Sequence, residues 1–267
     1  MFSVVIPLYN KSKMIGRTIQ SVLDQYCQNF EVVVVNDGST DDSAEVVMSF
    51  KDERIRLINQ NNKGVSAARN RGIAEARYDW VAFLDGDDSW NPDHLEEICT
   101  MMRNFPQEKV FVTSFVFSDN RFAFKHDRSA DIFKVENYFK EVVKETLMWT
   151  SIVVVHKSCI NVVGGFNEKL SRGEDRELWA RLARKYGIVK SQRVTAVYNV
   201  DDADSLSKGK AEYDKSIISV IDLNGLKSYE RKYFKRMIYR RLFLSLKDMD
   251  VTEVVAILCK HRLQLLR

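Results

Sequence analysis

At 267 residues, 45% hydrophobic and 29% charged, the chain has the size and composition of one large soluble α/β domain, or of a domain with an appendage. Its longest apolar stretches are too short to span a bilayer, and no n-region and h-region precede the first strand-like run, so neither a membrane span nor a secretory signal is expected. The net charge of +4 conceals an asymmetry: residues 208–267 hold 14 Lys/Arg against 7 Asp/Glu, a net +7, while the rest of the chain stands at −3. Cys27, Cys99, Cys159 and Cys259 are far apart and form no CxxC pair, as expected of reduced thiols in a cytoplasmic protein.

The first hundred residues alternate strand and helix patterns. Ser3–Leu8 is a β-branched apolar run, and Met14–Tyr26 carries apolar residues at helical spacing. Glu31–Val35 is nearly continuous valine, the pattern of a strand buried on both faces of a parallel sheet. A turn rich in helix-capping residues, 36–42, leads to a helix over Ser43–Phe50. Ile55–Ile58 and Trp80–Leu84 are the third and fourth strands, with helices over Ser66–Ala76 and Asp93–Arg103. Repeated units of this length predict a doubly wound α/β sheet. Ligands of such sheets bind beyond the carboxyl ends of the strands, where Tyr9-Asn10, Asp37-Gly38 and Asp85–Asp88 fall.

The second hundred residues are less regular. Strands are expected at Lys109–Phe117 and Ile152–His156, and helices over Val135–Leu147 and Glu174–Tyr186. The acidic start of the last suits the positive end of a helix. The polar stretch Asp201–Gly209 reads as a boundary or a mobile loop, and helices are expected near Tyr213–Leu223, Glu230–Lys247 and Val251–Leu266.

The fourth strand ends in Asp85-Gly86-Asp87-Asp88, three carboxylates around one glycine. Carboxylates this close raise each other's pKa unless a cation sits among them. Mg²⁺ or Mn²⁺ prefers such ligands and commonly bridges one or two of them to phosphate oxygens. Gly86 permits a sharp turn and close approach of a ligand. Alone, the turn reads equally well as an acidic cap on a strand.

Five strings in order give this turn its context. They are Val4–Asn10, Val33–Asp41, Asn62–Gly72, Phe83–Asp88, and Gly164–Glu168 followed by Gly173–Trp179. Together they resemble glycosyltransferase family 2, with the GT-A fold, over roughly residues 1–200. The resemblance implies a nucleotide-diphosphate sugar donor, a UDP-sugar or another nucleotide sugar. It places Pro7, Tyr9, Asn10 and Asp37 around the base and ribose, although Asp37 could simply cap a helix and Tyr9 could be a rim aromatic. Lys63 and Arg69 would face the diphosphate, Arg with a planar fork and Lys as a point charge. A solvated basic loop accounts for Lys63 equally well. The acidic turn would assign Asp85 and Gly86 to the donor, Asp87 to a bridging Mn²⁺ or Mg²⁺, and Asp88 to a supporting role. Family members usually carry Ser or another small residue at position 86.

The resemblance makes Asp175, in the pair Glu174-Asp175, the base that takes the acceptor proton, against the plainer reading of an acidic first helical turn. Direct attack on an α-linked donor would invert the anomeric carbon. His156 could be a metal ligand but reads better as a non-ligand. The expected organisation is a catalytic domain over 1–205, its nucleotide-sugar half about 1–100 and its acceptor half about 101–205, followed by a basic helical extension over 206–267. Basic and aromatic residues interleave in Arg231–Phe243, which suits an anionic membrane surface at the inner face, a second subunit in a homodimer, or packing on the catalytic domain. The expected acceptor is a glycan or a lipid-linked sugar, in cell-surface polysaccharide or glycoconjugate synthesis, and no nucleic acid is expected. Two alternatives remain. A nucleotidyltransferase would ordinarily show a glycine-rich phosphate loop with a basic residue, which Pro7–Asn10 does not; the other is a non-catalytic sugar-nucleotide-binding protein.

Overall fold

The computed structural model describes residues 1–119, 121, 130–200 and 211–265. The polar stretch 201–209 and the boundary at 205/206 lie outside the described residues. In chain order the elements are β1 (Phe2–Leu8), α1 (Ile15–Leu23), β2 (Phe30–Asn36), α2 (Ser43–Ser49), β3 (Ile55–Asn59), α3 (Val65–Glu75), β4 (Trp80–Phe83) and β5 (Ser89–Trp90). They continue as α4 (His94–Asn104), β6 (Val110–Phe117), β7 (Ile132–Lys134), α5 (Tyr138–Glu141), β8 (Val153–His156), α6 (Lys157–Val163), α7 (Glu174–Lys185), β9 (Val189–Tyr198), α8 (Ser228–Lys247) and α9 (Val251–Leu265).

The strands form one sheet in the order β3-β2-β1-β4-β8-β6-β9-β5, with β7 beside β9. The four expected strands β1 to β4 are parallel neighbours. All seven residues of β1 and of β2 are buried, because helices cover both faces. Val4, Ile6 and Leu8 pack with α1 and α4, whereas Val5 and Phe83 pack on the other face with Leu178 and Trp179 of α7. Beyond β4 the sheet is mixed and not doubly wound: β8 runs antiparallel to both β4 and β6, while β6 and β9 are parallel.

Two expected helices are corrected. The span Val135–Leu147 is helical only over Tyr138–Glu141; past it the Lys144 amide bonds Glu141 O three residues back, which tightens the turn, and Arg236 of α8 donates to the Val143 carbonyl. The span Tyr213–Leu223 forms two single turns, Tyr213–Lys215 and Ile217–Ser219. There the Ser216 and Ser219 hydroxyls bond back to local carbonyls, and the Ile217 amide is drawn to Arg172 O at 3.0 Å.

The C-terminal helices pack on the body of the fold. Tyr233, Phe234 and Ile238 of α8 and Ile257 of α9 form a buried cluster with Ala180 of α7 and Ile217, Ile221 and Leu223. At the turn between α8 and α9, Phe243, Leu246, Met249 and Val251 are exposed. Among the described residues, no helix is long and apolar enough to cross a membrane.

His94, at the start of α4, is fully buried, stacked on Trp90 at 4.1 Å, with Nδ1 2.7 Å from Thr195 Oγ1. Burial pulls its pKa down to about 3. An unfolded histidine titrates near 6.5, so between these values the unfolded chain binds a proton that the folded chain refuses. The stability this contributes is complete above the unfolded pKa and is lost as pH falls towards the folded one. Urea denaturation is expected to show the wild type losing about 2 kcal/mol more than His94→Gln between pH 7 and pH 5. Identical pH dependence in the two proteins would refute the role of His94.

Candidate active site

Pro7, Tyr9, Asn10, Asp37, Lys63, Arg69, Asp85, Gly86, Asp87 and Asp175 all line one cleft of about 1980 Å³. The parallel strands explain the convergence. β1 and β2 end level, with Leu8 opposite Asn36, while β4 ends earlier, with Phe83 opposite Val5, and the loops after all three open at the carboxyl ends of parallel strands, on the same side of the sheet.

The loop after β1 turns at Asn10, whose φ of 50° lies in the left-handed region that Asn tolerates. Its Oδ1 accepts from Thr40 N at 2.8 Å, tying this loop to the one after β2, while Tyr9 stands half exposed at the rim. Asp37 is buried and does not cap α2, since Asp41 takes the bonds to Ser43 at that helix start. The Asp37 carboxylate instead accepts from Gln60 Nε2 at 2.7 Å, Lys63 N at 2.9 Å and Gly64 N at 2.8 Å. It thereby fixes the loop leading into α3. The Lys63 side chain is exposed on the cleft.

α3 comes close to the sheet because its buried side is small: a Cβ on Gly72 would overlap Val5. That approach brings Arg69 into the cleft wall. Arg69 is 4% exposed, and its Nη2 donates to Asp85 Oδ1 at 2.6 Å while Nη1 donates to Glu174 Oε1 at 2.8 Å. Its guanidinium also lies 5.2 Å over the Phe166 ring. Burial alone would lower the Arg69 pKa, but Asp85 and Glu174 outweigh it and raise it, so the side chain stays charged. Arg69 lines the cleft and bridges the acidic turn to the start of α7.

Each carboxylate of the acidic turn has its own partner. Asp87 pairs with Lys11 Nζ at 3.0 Å. Asp88 is buried and accepts from Ser151 Oγ at 2.7 Å and from Asn199 N at 3.2 Å. Burial, with the charges of Asp87 and Asp85, pushes Asp88 well above the usual carboxylate range. Ser151 Oγ also accepts from Asp85 N at 3.1 Å, and Asn199 Nδ2 donates to Asp87 O at 2.6 Å. Thr18 holds the carbonyls of Gly86 and Asp88 from α1. Among the described residues, no three His, Cys, Asp or Glu side chains gather to hold a metal ion by themselves. Asp87, with its carboxylate on the cleft, is the residue of this turn that could hold a hard ion. His156 is not in that position: its Nδ1 lies 2.8 Å from Ser158 Oγ at the start of α6.

α7 begins after Gly173, at φ 77°, with Glu174 buried and Asp175 half-buried. Burial and the neighbouring Asp175 charge raise the pKa of Glu174, opposed by Arg69. Tyr138 of α5 and Tyr233 of α8 stand close enough to feel the Asp175 charge. Burial pushes Tyr233 up to about 12. Phe115, Trp149 and Tyr198 form an aromatic wall further along the cleft, with ring centroids 4.7 and 4.9 Å apart.

Sequence reasoning missed Lys11, Ser151, Glu174 as the partner of Arg69, Asn199 and Tyr233. Lys11 adjoins a motif and was findable there. The other contacts join residues far apart in the chain, and no local pattern marks them.

A sheet of this order, with an acidic turn after β4 and a second acidic pair facing it at the start of α7, is the GT-A architecture. The chain belongs to glycosyltransferase family 2: the family described as "Glycosyl transferase family 2" matches residues 3–163. It is 33% identical over 193 residues to an uncharacterized glycosyltransferase of Rickettsia felis, covering 70% of this chain and 31% of that protein. Identity to the chondroitin synthase of Escherichia coli is 29% over 191 residues, covering 68% of this chain and 26% of that protein. The chain thus spans under a third of the length of these relatives. Among solved structures it is similar to S. aureus TarS 1-349 in complex with UDP-GlcNAc, with a TM-score of 0.78, 20% identity, and coverage of 96% of this chain and 79% of that one.

Proposed function

We propose that this protein is a metal-dependent, inverting glycosyltransferase that moves a sugar from a UDP-sugar to a glycan or lipid-linked acceptor. The observation that carries the reading is the single cleft shared by Asp37, the acidic turn and Asp175, on a chain of family 2. Asp37, with Pro7, Tyr9 and Asn10, bounds the end suited to a base and ribose. One lone pair of the Asp37 carboxylate remains beyond the three amide donors, enough to accept the imide N–H of uracil. Asp85 and Gly86 would face the ribose and diphosphate.

Asp175, across the cleft, takes the proton from the acceptor hydroxyl as its oxygen bonds to the anomeric carbon. The bond from that carbon to the diphosphate breaks on the opposite face. The electron pair leaves with UDP, and the configuration inverts. Arg69 keeps Asp85 and Glu174 in place through this exchange, so the donor and acceptor sides stay in register. Asp87 would hold the Mn²⁺ or Mg²⁺, whose contribution is to offset charge building on the diphosphate.

Calorimetric titration tests the donor reading. Mn²⁺ is expected to tighten UDP binding at least tenfold in the wild type. In Asp87→Asn the gain is expected to vanish, while binding without metal persists. An equal Mn²⁺ effect in both proteins removes Asp87 from the metal site, and absence of UDP binding overturns the function itself. A nucleotidyltransferase would instead accept a nucleoside triphosphate, and a non-catalytic binding protein would bind UDP-sugar without hydrolysing or transferring it.

A further inference from the structure

One side of α8 faces the cleft. Tyr233, Arg236, Met237, Arg240 and Leu244 recur at i, i+3, i+4, i+7 and i+11, which places them on one helix face, and all five line the cavity. The same face borders Asp175, since Tyr233, Asp175 and Arg176 all line this cavity. Arg176 follows Asp175 directly and is exposed on the cleft, as is Lys144 from the segment after α5.

The two ends of the cavity differ in how their cations are used. At the donor end Lys11 pairs with Asp87, and Arg69 pairs with Asp85 and Glu174. On α8, Arg241 pairs with Glu253 and turns away from this role. Arg236 donates to a backbone carbonyl, Val143 O at 2.8 Å, and is exposed. Among the described residues, Arg176, Arg236, Arg240 and Lys144 make no ion pair with a carboxylate. Four cations without an ion-pair partner on one side of the cavity, with Asp175 and Glu145 the cavity-lining carboxylates nearest to them in the chain, favour an anionic ligand there. Arg236 and Arg240 are one helical turn apart, so two planar forks can close on oxyanions of the kind that phosphate presents.

The cavity has room for such a ligand beside the donor. At about 1980 Å³ it exceeds the roughly 300–1,000 Å³ of a pocket for one small ligand. We propose that the cleft-facing side of α8, with Arg176 and Lys144, is an acceptor subsite for phosphate groups, so that the acceptor is a phosphate-bearing chain. This rests on the glycosyltransferase reading and names the acceptor class for that same site. It also gives the basic C-terminal segment a role in selectivity: α8 forms the acceptor wall of the cavity.

The test uses the full chain with its donor site filled by saturating UDP. Linear polyphosphate presents the oxyanions in solution, and vesicles containing phosphatidylglycerol present them on a lipid surface. Binding is expected in at least one arm and should weaken at least tenfold in the Arg236→Gln/Arg240→Gln double variant. UDP affinity should be unchanged in that variant, which shows that it is folded. No binding in either arm, or no weakening in any arm that binds, overturns the subsite. Equal affinity for an oligogalacturonate overturns the phosphate class. If UDP itself fails to bind the wild type, the function proposed above falls and this subsite with it; if UDP binds and the anions do not, only the subsite falls.

Discussion

Replacing Asp175 by Asn is expected to lower sugar transfer by about 10²–10⁴-fold, the usual contribution of a positioned general base. Asn keeps the shape and the acceptor oxygen that receives the Arg176 amide at 2.7 Å, so the α7 start should survive. What it removes is a lone pair able to take a proton. UDP affinity should therefore stay at the wild-type value, because Asp85, Asp87 and Asp37 belong to other loops. The measurement is initial transfer rate and UDP binding on the same preparation. Unchanged transfer would sink the base assignment, and joint loss of both would point to structural damage.

The largest stability effect is expected from Arg69→Met. The guanidinium is buried between two carboxylates, and removing one member of such a set typically costs about 3–5 kcal/mol because the remaining charges stay buried without a partner. Glu174 bears most of this cost, since it is buried and its pKa is already raised, whereas Asp85 keeps some solvent contact. The sign with pH follows. A carboxyl whose folded pKa lies above its unfolded value is favoured in its protonated form, so its contribution to stability is present at low pH and lost as pH rises. The deficit of Arg69→Met should shrink on acidification towards pH 4, and Glu174→Gln added to Arg69→Met should recover part of it at pH 7. Denaturant melts of the three proteins at both pH values check this. A deficit that ignores both pH and Glu174→Gln would mean that lost packing over Phe166 dominates instead.

The parts of the fold legible from residues alone were those encoded by local rules. β1, β2 and β4 show as apolar runs because both faces are covered, and the loops that follow show as turn residues. β9 was invisible for the opposite reason. Its Lys190-Ser191-Gln192-Arg193 centre reads as loop, yet Lys190 is buried, donating to Thr113 O at 2.8 Å, with burial holding its pKa down at about 8. Polar residues become strand interior once partners on neighbouring strands satisfy them. The helix expected over Val135–Leu147 stops at Glu141, and the segment beyond it meets α8 through Arg236, 93 residues away, a contact that no local pattern marks.

Ten candidate site residues could be named because the resemblance carries them on motif strings; Tyr9, Asn10, Asp37 and Asp85–Asp87 among them lie just past the ends of parallel strands, which open on one side of the sheet. Their partners came only from the folded arrangement. Arg69 meets Glu174 across 105 residues, Ser151 spans 66 to Asp85, and Asn199 reaches 111 residues back to Asp88. The reversal of β8 beside β4 and the placing of β9 beyond β6 bring these groups together. Strand order is settled by packing of whole faces, and no short stretch of sequence carries that information.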